Sequence, residues 1–311
     1  MFIRPKDYIS VNDKLFFAVV SEYHEGDCAL TWLRYVKSEQ GLNKLNTEEA
    51  EKFIDIHFPA FNFHSTYADI KLHGIPYDSI SEVLRPDQTI PKLLKLNSPD
   101  RIQKDAIAVI NLLLDAGIKI EIIGITGSLM LNTQNEQSDI DMIVYGRNTF
   151  FKVRDLIKYN IEVGKLKSLD ELNWQEAYQR RDCALSFEEY KSHEIRKYNK
   201  CISGTTKVDI SMIPENYERI QEAGSCKKLG KTKIISTVID DAHSYDFPAR
   251  YIINTDDLKE VVSYTATYTG QAMAGEKIEA VGYIEQDNNG DKRLLVGSSR
   301  EAAGEYIRVV K

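Results

Sequence analysis

The sequence predicts an α+β protein in three parts: an N-terminal α+β accessory module over residues 1–95, a central domain over 96–228 with helices on a mixed sheet, and a β-rich C-terminal domain over 229–311. Three observations carry this expectation. Short alternating apolar runs dominate the first part. Helical and strand periodicities take turns through the middle. Past residue 229, β-branched residues, Tyr and Gly displace helical spacing. A chain of 311 residues is long enough for two or three domains.

In the first part, Leu15-Phe16-Phe17-Ala18-Val19-Val20 and Ala29-Leu30-Thr31-Trp32-Leu33-Arg34-Tyr35-Val36 read as strands. His24-Glu25-Gly26-Asp27 lies between them as a hairpin turn. A helix starts near Thr47, with Asn46 or Thr47 as its cap. Pro59, Pro76, Pro86 and Pro91 punctuate the chain beyond this helix, and residues 85–91 read as a linker.

In the second part, Ser98-Pro99-Asp100 offers a cap, a first-turn proline and an early acid. Ile102, Ile107, Val109, Ile110, Leu113 and Leu114 then recur largely at helical spacing, and Gly117 is a natural stop. Residues 118–123 read as a strand. Gly124 and Gly127 bracket a tight turn, and Ser128-Leu129-Met130-Leu131 starts a helix. Residues 150–159 form an amphipathic helix, and further helices open at Leu169 and Phe187. Thr206-Lys207-Val208-Asp209-Ile210-Ser211-Met212-Ile213 alternates as a late strand.

In the third part, residues 261–269 alternate strongly. Residues 278–285 and 293–297 flank Asp287-Asn288-Asn289-Gly290-Asp291, a hairpin signal. Residues 306–310 close the chain as a strand. So many short strands suggest a small β-barrel, OB-like among the options. Tyr264, Tyr268, Tyr283 and Tyr306 either stack the bases of a single strand or pack the β faces.

The chemistry concentrates in Gly127-Ser128, ten residues, then Asp139-Ile140-Asp141-Met142. On a strand, residues i and i+2 share a face, so Asp139 and Asp141 project together while Ile140 and Met142 pack behind. Two carboxylates on one face repel unless a cation joins them, and hard divalent ions prefer oxygen ligands. Glycine lets backbone approach an anion closely, and free N–H groups at a helix start bind phosphate oxygens.

This stretch resembles the nucleotidyltransferase superfamily typified by DNA polymerase beta. The resemblance covers residues 121–146 directly and extends more loosely to about 215. It implies a polymerase beta-like core in the central domain. The sequence is also similar to an uncharacterised archaeal group of predicted nucleotidyltransferases, a likeness that names no substrate. The family carries a further acid on a later strand, which implies Asp209 as third metal ligand and as base for the attacking hydroxyl. As an ordinary strand residue, Asp209 would simply face solvent. Gly127 and Ser128 would hold the β- and γ-phosphates of a nucleoside triphosphate. Asp139, Asp141 and Asp209 would hold Mg²⁺ or Mn²⁺.

One departure stands out. Several family members place Arg or Lys just after Gly-Ser to meet the phosphates, whereas this chain has Leu129, Met130 and Leu131. Lys207, Arg147, Arg196 and Lys197 are the alternatives. Residues 179–200 hold the densest positive charge, which faces either a nucleotide or RNA, or solvent.

Composition narrows the partners. A net charge of −7 and a pI near 5.5 disfavour wrapping nucleic acid through generic charge, although a local patch for an RNA end stays open. There is no DNA-specific signal. No apolar run reaches 18 residues, and the first six residues break with charge and proline, so no membrane partner and a cytoplasmic location are expected. Cys28, Cys183, Cys201 and Cys226 form no C-x-x-C pair, and His24, His57, His64, His73, His193 and His243 form no ligand cluster. The expected function is transfer of a nucleoside monophosphate from a triphosphate to a hydroxyl of RNA, tRNA or protein, releasing pyrophosphate. The alternative is a catalytically degenerate nucleotide- or RNA-binding protein. The acidic pI favours a protein acceptor over tRNA.

Overall fold

The computed structural model describes residues 3–21, 25–66, 70–181, 183–218, 226–298 and 302–310. His24, at one end of the expected hairpin turn, lies outside the described residues. The protein mixes helices with several sheets. It forms two compact units, Met1–Ile143 and Val144–Lys311.

The first unit contains β1 (Tyr8–Val11), β2 (Leu15–Val19), β3 (Cys28–Ser38), β4 (Gly41–Lys44), α1 (Thr47–His57), β5 (Asn62–Ser65), β6 (Ile70–Pro76) and β7 (Glu82–Leu84). It continues through α2 (Thr89–Leu94), α3 (Arg101–Asp115), β8 (Ile123–Thr126), α4 (Gly127–Leu131) and the start of β9 (Ile140–Tyr145). The sheet order is β5-β6-β3-β2-β1-β7, with β4 on β3. Tyr8 lies opposite Ala18 and Phe17 opposite Leu33. Alternation along β2 buries Leu15, Phe17 and Val19, which join Ile9, Leu33 and Ile54 of α1 in one core. The cap of α1 is Asn46: its side chain accepts the Glu49 N–H, and Glu49 accepts the Asn46 N–H in return.

The cap of α3 is Asp100 rather than Ser98, and Pro99 lies before the helix, because Asp100 accepts the Gln103 N–H and the Gln103 side chain accepts the Asp100 N–H in return. Ile102, Val109, Ile110 and Leu113 turn inward from it, and Gly117 ends the turn at φ +83°. Two local expectations are corrected. Ile120–Ile122 is a single 3-10 turn, so β8 begins only at Ile123 and contains Gly124. The reason is a close approach: a β-carbon on Gly124 would lie 2.6 Å from Pro86 Cβ. The supposed linker is structured as well, since Pro86–Gln88 makes a 3-10 turn with Pro86 buried, followed directly by α2.

The second unit holds the end of β9, then α5 (Arg147–Glu162), α6 (Glu171–Gln179), α7 (Phe187–Ile195), β10 (Lys200–Ser203), β11 (Thr206–Ile213), β12 (Cys226–Asp240), β13 (Ala249–Ile253), β14 (Glu260–Ser263), β15 (Lys277–Asp287), β16 (Lys292–Val296) and β17 (Tyr306–Val309). β10 and β11 form a hairpin with Lys200 opposite Asp209. The Gly146 N–H donates to the Ile213 carbonyl at 2.9 Å, tying the end of β9 to β11.

The larger sheet runs β12-β13-β14-β16-β15-β17, and a further β12–β15 pairing closes the path on itself. Trp174 and Tyr190 of the helices pack with Tyr251, Val261, Leu294 and Ile307 of this sheet. The expected domain boundary at 228/229 falls inside β12. The alternating run at 261–269 stays a strand only to Ser263, because the Ser263 hydroxyl accepts the Thr265 N–H and a 3-10 turn follows. That turn buries Tyr268, whose hydroxyl donates to the Glu305 carbonyl, so this ring packs the core and is closed to bases. Among the described residues, no helix is long and apolar enough to cross a membrane.

Candidate active site

The site lies in the first unit, where β8 delivers the chain to Gly127. Gly127 adopts φ +68°, a backbone that side-chain-bearing residues rarely take. A β-carbon there would meet Asp141 Oδ2 at 2.5 Å. The Asp141 carboxylate therefore lies directly against the Gly127 backbone. Asp141, in β9, is exposed between buried Ile140 and Met142, the local alternation that the sequence predicts; Asp139 is half-buried and lies one residue before the strand.

The segment between Ser128 and Asp139 is firmly held. Asn132 is left-handed at φ +53° and ends the five-residue α4. The Thr133 N–H donates to the Ser128 carbonyl at 2.9 Å. Gln134 Nε2 donates to Asp100 Oδ2 at 2.8 Å, and Arg101 Nη2 donates to the Glu136 carbonyl at 2.8 Å. The Asn135 N–H donates to Ser138 Oγ at 2.9 Å, closing a tight turn just before Asp139. One end of α3 thus fastens the loop that leads into the aspartate pair.

The N-terminal sheet supplies the surroundings. Thr126 Oγ1, one residue before Gly127, donates to the Lys6 carbonyl at 2.8 Å. The rings of Tyr8 and Tyr35 lie 6.1 Å apart. Burial raises both phenols above their ordinary value, and the Asp141 carboxylate adds to the rise in each. Arg34 hydrogen-bonds Tyr8, and Thr133 hydrogen-bonds Tyr35; both contacts oppose the rise. Sequence reasoning missed Tyr8, Arg34 and Thr133. No spacing signal links residues 8 and 34 to residue 141, because the link is made only by folding.

Asp209 stands in the second unit on β11, half-exposed, with Val208, Ile210 and Met212 buried around it. Arg181 Nη2 approaches its Oδ2 at 3.9 Å. Burial would lower the neighbouring Lys200 ammonium, but Asp209 and Glu194 outweigh it and raise that group above its ordinary value.

The cations named from sequence are all engaged by carboxylates. Arg147 Nη2 pairs with Asp246 Oδ2 at 2.7 Å. Arg196 Nη1 pairs with Glu276 at 2.5 Å, Lys197 with Glu194 at 2.5 Å and Lys207 with Glu176 at 2.8 Å. The positive run at 179–200 is largely neutralised within the unit, and Lys197 is only 1% exposed.

Mg²⁺ takes one or two carboxylates and completes its shell with water and phosphate oxygens, so the side chains of Asp139 and Asp141 are of a chemistry suited to it. Among the described residues, no group of three or more His, Cys, Asp or Glu side chains is arranged to hold a metal ion.

The uncharacterized protein MJ1086 of Methanocaldococcus jannaschii is 33% identical to this chain, with 99% of each chain covered. No family model matches the chain, and no solved structure matches it.

Proposed function

We propose that this chain, which belongs to the family of the Methanocaldococcus jannaschii protein, is a metal-dependent nucleotidyltransferase. It moves a nucleoside monophosphate from a triphosphate to a hydroxyl acceptor on RNA, tRNA or protein. The observation that carries this reading is the Gly127–Asp141 contact: a left-handed glycine with no room for a side chain lies beneath an exposed carboxylate. Such a backbone suits the close approach of an anionic ligand, and the carboxylates beside it suit a cation carried with that ligand.

In this reading, the backbone of the Gly127–Ser128 turn and the Ser128 hydroxyl hold the β- and γ-phosphates. Asp139 and Asp141 hold Mg²⁺ or Mn²⁺, which when bound neutralises charge on the phosphate oxygens. The acceptor oxygen attacks the α-phosphorus in line, and the bond to pyrophosphate breaks. Asp209 takes the acceptor proton, an assignment carried by sequence order and tested separately by Asp209→Asn. Positioning and charge neutralisation carry the rate, because the protein forms no covalent intermediate.

The fold reading that accompanies this function is a polymerase beta-like core, supported by the order β8, Gly127 turn, α4, β9. A small β-barrel near the C-terminus is supported by the closed pairing path of β12, β13, β14, β16 and β15. The cytoplasm, as a source of nucleoside triphosphates, suits the activity.

The competing reading is a nucleotide- or RNA-binding protein without turnover, favoured by Leu129, Met130 and Leu131 standing where several members of the resembled superfamily place a phosphate-binding cation. Incubation with α-labelled triphosphates, Mg²⁺ and cell extract separates the two. Label in a protease- or RNase-sensitive product, lost in Asp141→Asn, supports the transferase. Metal-dependent nucleotide binding without label transfer supports the binding protein.

A further inference from the structure

We propose that a cavity in the second unit binds a free L-α-amino acid with a large apolar side chain, an inference independent of the transferase reading. The cavity has a volume of about 320 Å³ and is bounded by α5, α6, α7 and the chain that leads into β10. Sites for small organic molecules begin at roughly 300 Å³. The apolar lining is Ile161, Leu169, Trp174, Ile195 and Tyr198. Leu169 and Trp174 are themselves buried and belong to the core of this unit, so the apolar surface is part of the fold.

The walls are held in place. The Lys167 N–H donates to the Ile202 carbonyl at 3.0 Å, and the Ile202 N–H donates back to the Lys167 carbonyl at 2.8 Å. This exchange pins the segment that carries Ser168 and Leu169 to β10. Tyr198 adopts φ +50°, a conformation that aromatic residues rarely take, and such strain gathers at binding sites. Its neighbour Lys197 is anchored at both ends. The Lys197 ammonium donates to the Thr267 carbonyl at 2.8 Å, and the Lys197 carbonyl accepts from Arg154 Nε at 2.5 Å.

Charge sets the class of ligand. Two lysines of the lining are neutralised by carboxylates of the same lining, Lys191 by Glu171 and Lys200 by Glu194, the latter at 2.5 Å. Lys158 and Glu162 remain. Both line the cavity, both are exposed, and among the described residues neither forms an ion pair. Lys158 Nζ lies 5.3 Å from the centre of the Tyr198 ring. The two stand one turn apart on α5 with the lysine first, the order that pairs less well along a helix. One available positive charge and one available negative charge beside an apolar surface complement a zwitterion. The carboxylate meets Lys158, the ammonium meets Glu162, and the side chain lies against Ile161, Leu169 and Trp174. An interior residue of a peptide lacks both charges and a simple organic acid lacks one, which leaves the free amino acid as the matching occupant.

The test is calorimetric titration of the full chain with L-phenylalanine, L-leucine and glycine, and with 3-phenylpropionate and phenethylamine, which lack the ammonium and the carboxylate of phenylalanine. The proteins are wild type, Lys158→Gln, Glu162→Gln, Ser168→Trp and Lys165→Gln, each checked by a melting curve. Ser168 is an exposed lining position from which an indole fills the cavity, and Lys165 is an exposed cation outside the lining. Phenylalanine or leucine is expected to bind wild type and Lys165→Gln alike. Binding is expected to weaken about tenfold or more in Lys158→Gln and in Glu162→Gln, as for one charge-assisted hydrogen bond each, and to vanish in Ser168→Trp. Glycine, 3-phenylpropionate and phenethylamine are each expected to bind about tenfold or more weakly than phenylalanine. Binding of 3-phenylpropionate as tight as that of phenylalanine overturns the amino-acid assignment. Wild type that binds neither phenylalanine nor leucine, or binding unchanged in Ser168→Trp and both charge variants, overturns the site. Neither result bears on the transferase reading, whose own test is label transfer.

Discussion

A methyl group at position 127 would lie 2.5 Å from Asp141 Oδ2, on a backbone already at φ +68°. Gly117 offers a matched comparison, with φ +83° and nothing within 4 Å of its missing β-carbon. Both alanine variants are expected to lose about 1 kcal/mol to backbone strain. Only Gly127→Ala is expected also to displace the Asp141 carboxylate and abolish metal-dependent nucleotide binding, which melting curves and calorimetry on the two variants check. Residue-scale chemistry also governs the buried Glu194. Burial would raise its carboxyl, but Lys197 and Lys200 outweigh that and hold it at about 2. Glu194→Gln would leave the Lys197 ammonium buried beside a neutral partner, at a cost of roughly 3–5 kcal/mol in denaturant unfolding. The aspartates of the site were legible because alternation alone exposes residue 141 and buries 140 and 142. The nearness of Tyr8 and Tyr35 to Asp141 was not, since nothing local links a tyrosine of an N-terminal strand to residue 141.

Among the elements, α3 matters beyond its own length. Its cap residue Asp100 serves two tasks, accepting the Gln103 N–H with Oδ1 and the Gln134 side chain with Oδ2. Asp100→Ala is expected to cost about 1 kcal/mol as a lost cap. It should also loosen residues 132–138, seen as faster amide exchange there than in Asn46→Ala, which removes the cap of α1 alone. The longer helices were legible element by element, since periodicity and the Gly117 stop lie within a few residues of each other, but the cap of α3 fell at Asp100 rather than Ser98 and α2 overlaps the expected linker. The strands were less so. Residues 118–123 have the apolar content of a strand, yet the ladder starts at Ile123, because strand bounds depend on a partner far along the chain. Gly124, a turn residue by local spacing, is a strand residue beneath Pro86 for the same reason.

At the scale of the whole molecule, stability against pH sums opposing groups. His73 is fully buried, and burial holds its imidazole at about 4, so the folded chain binds this proton less tightly than the unfolded chain. Its contribution is present above the ordinary histidine value and is lost as pH falls from 6.5 towards 4. Asp7 has the opposite sign. Burial raises its carboxyl from 3.8 to about 6, so its neutral form favours the fold and stability is lost as pH rises through that interval. Asp7→Asn is expected to stabilise the protein at pH 8 by up to about 3 kcal/mol, with the gain vanishing near pH 4. A gain independent of pH in denaturant titrations would show that Asp7 is not the group responsible. By itself the sequence determined the mixture of helices and sheets, and the placing of Gly127 in a turn and of Asp141 on the strand that follows, because those features depend on contacts over a few residues and on the period of two or 3.6. Only the tertiary structure decided which cations are already neutralised, why Gly127 must lack a side chain, and that Tyr8 and Tyr35 come within reach of the Asp141 charge. Those outcomes depend on contacts between segments as much as 120 residues apart or more, where side-chain pairing leaves no periodic trace in the sequence.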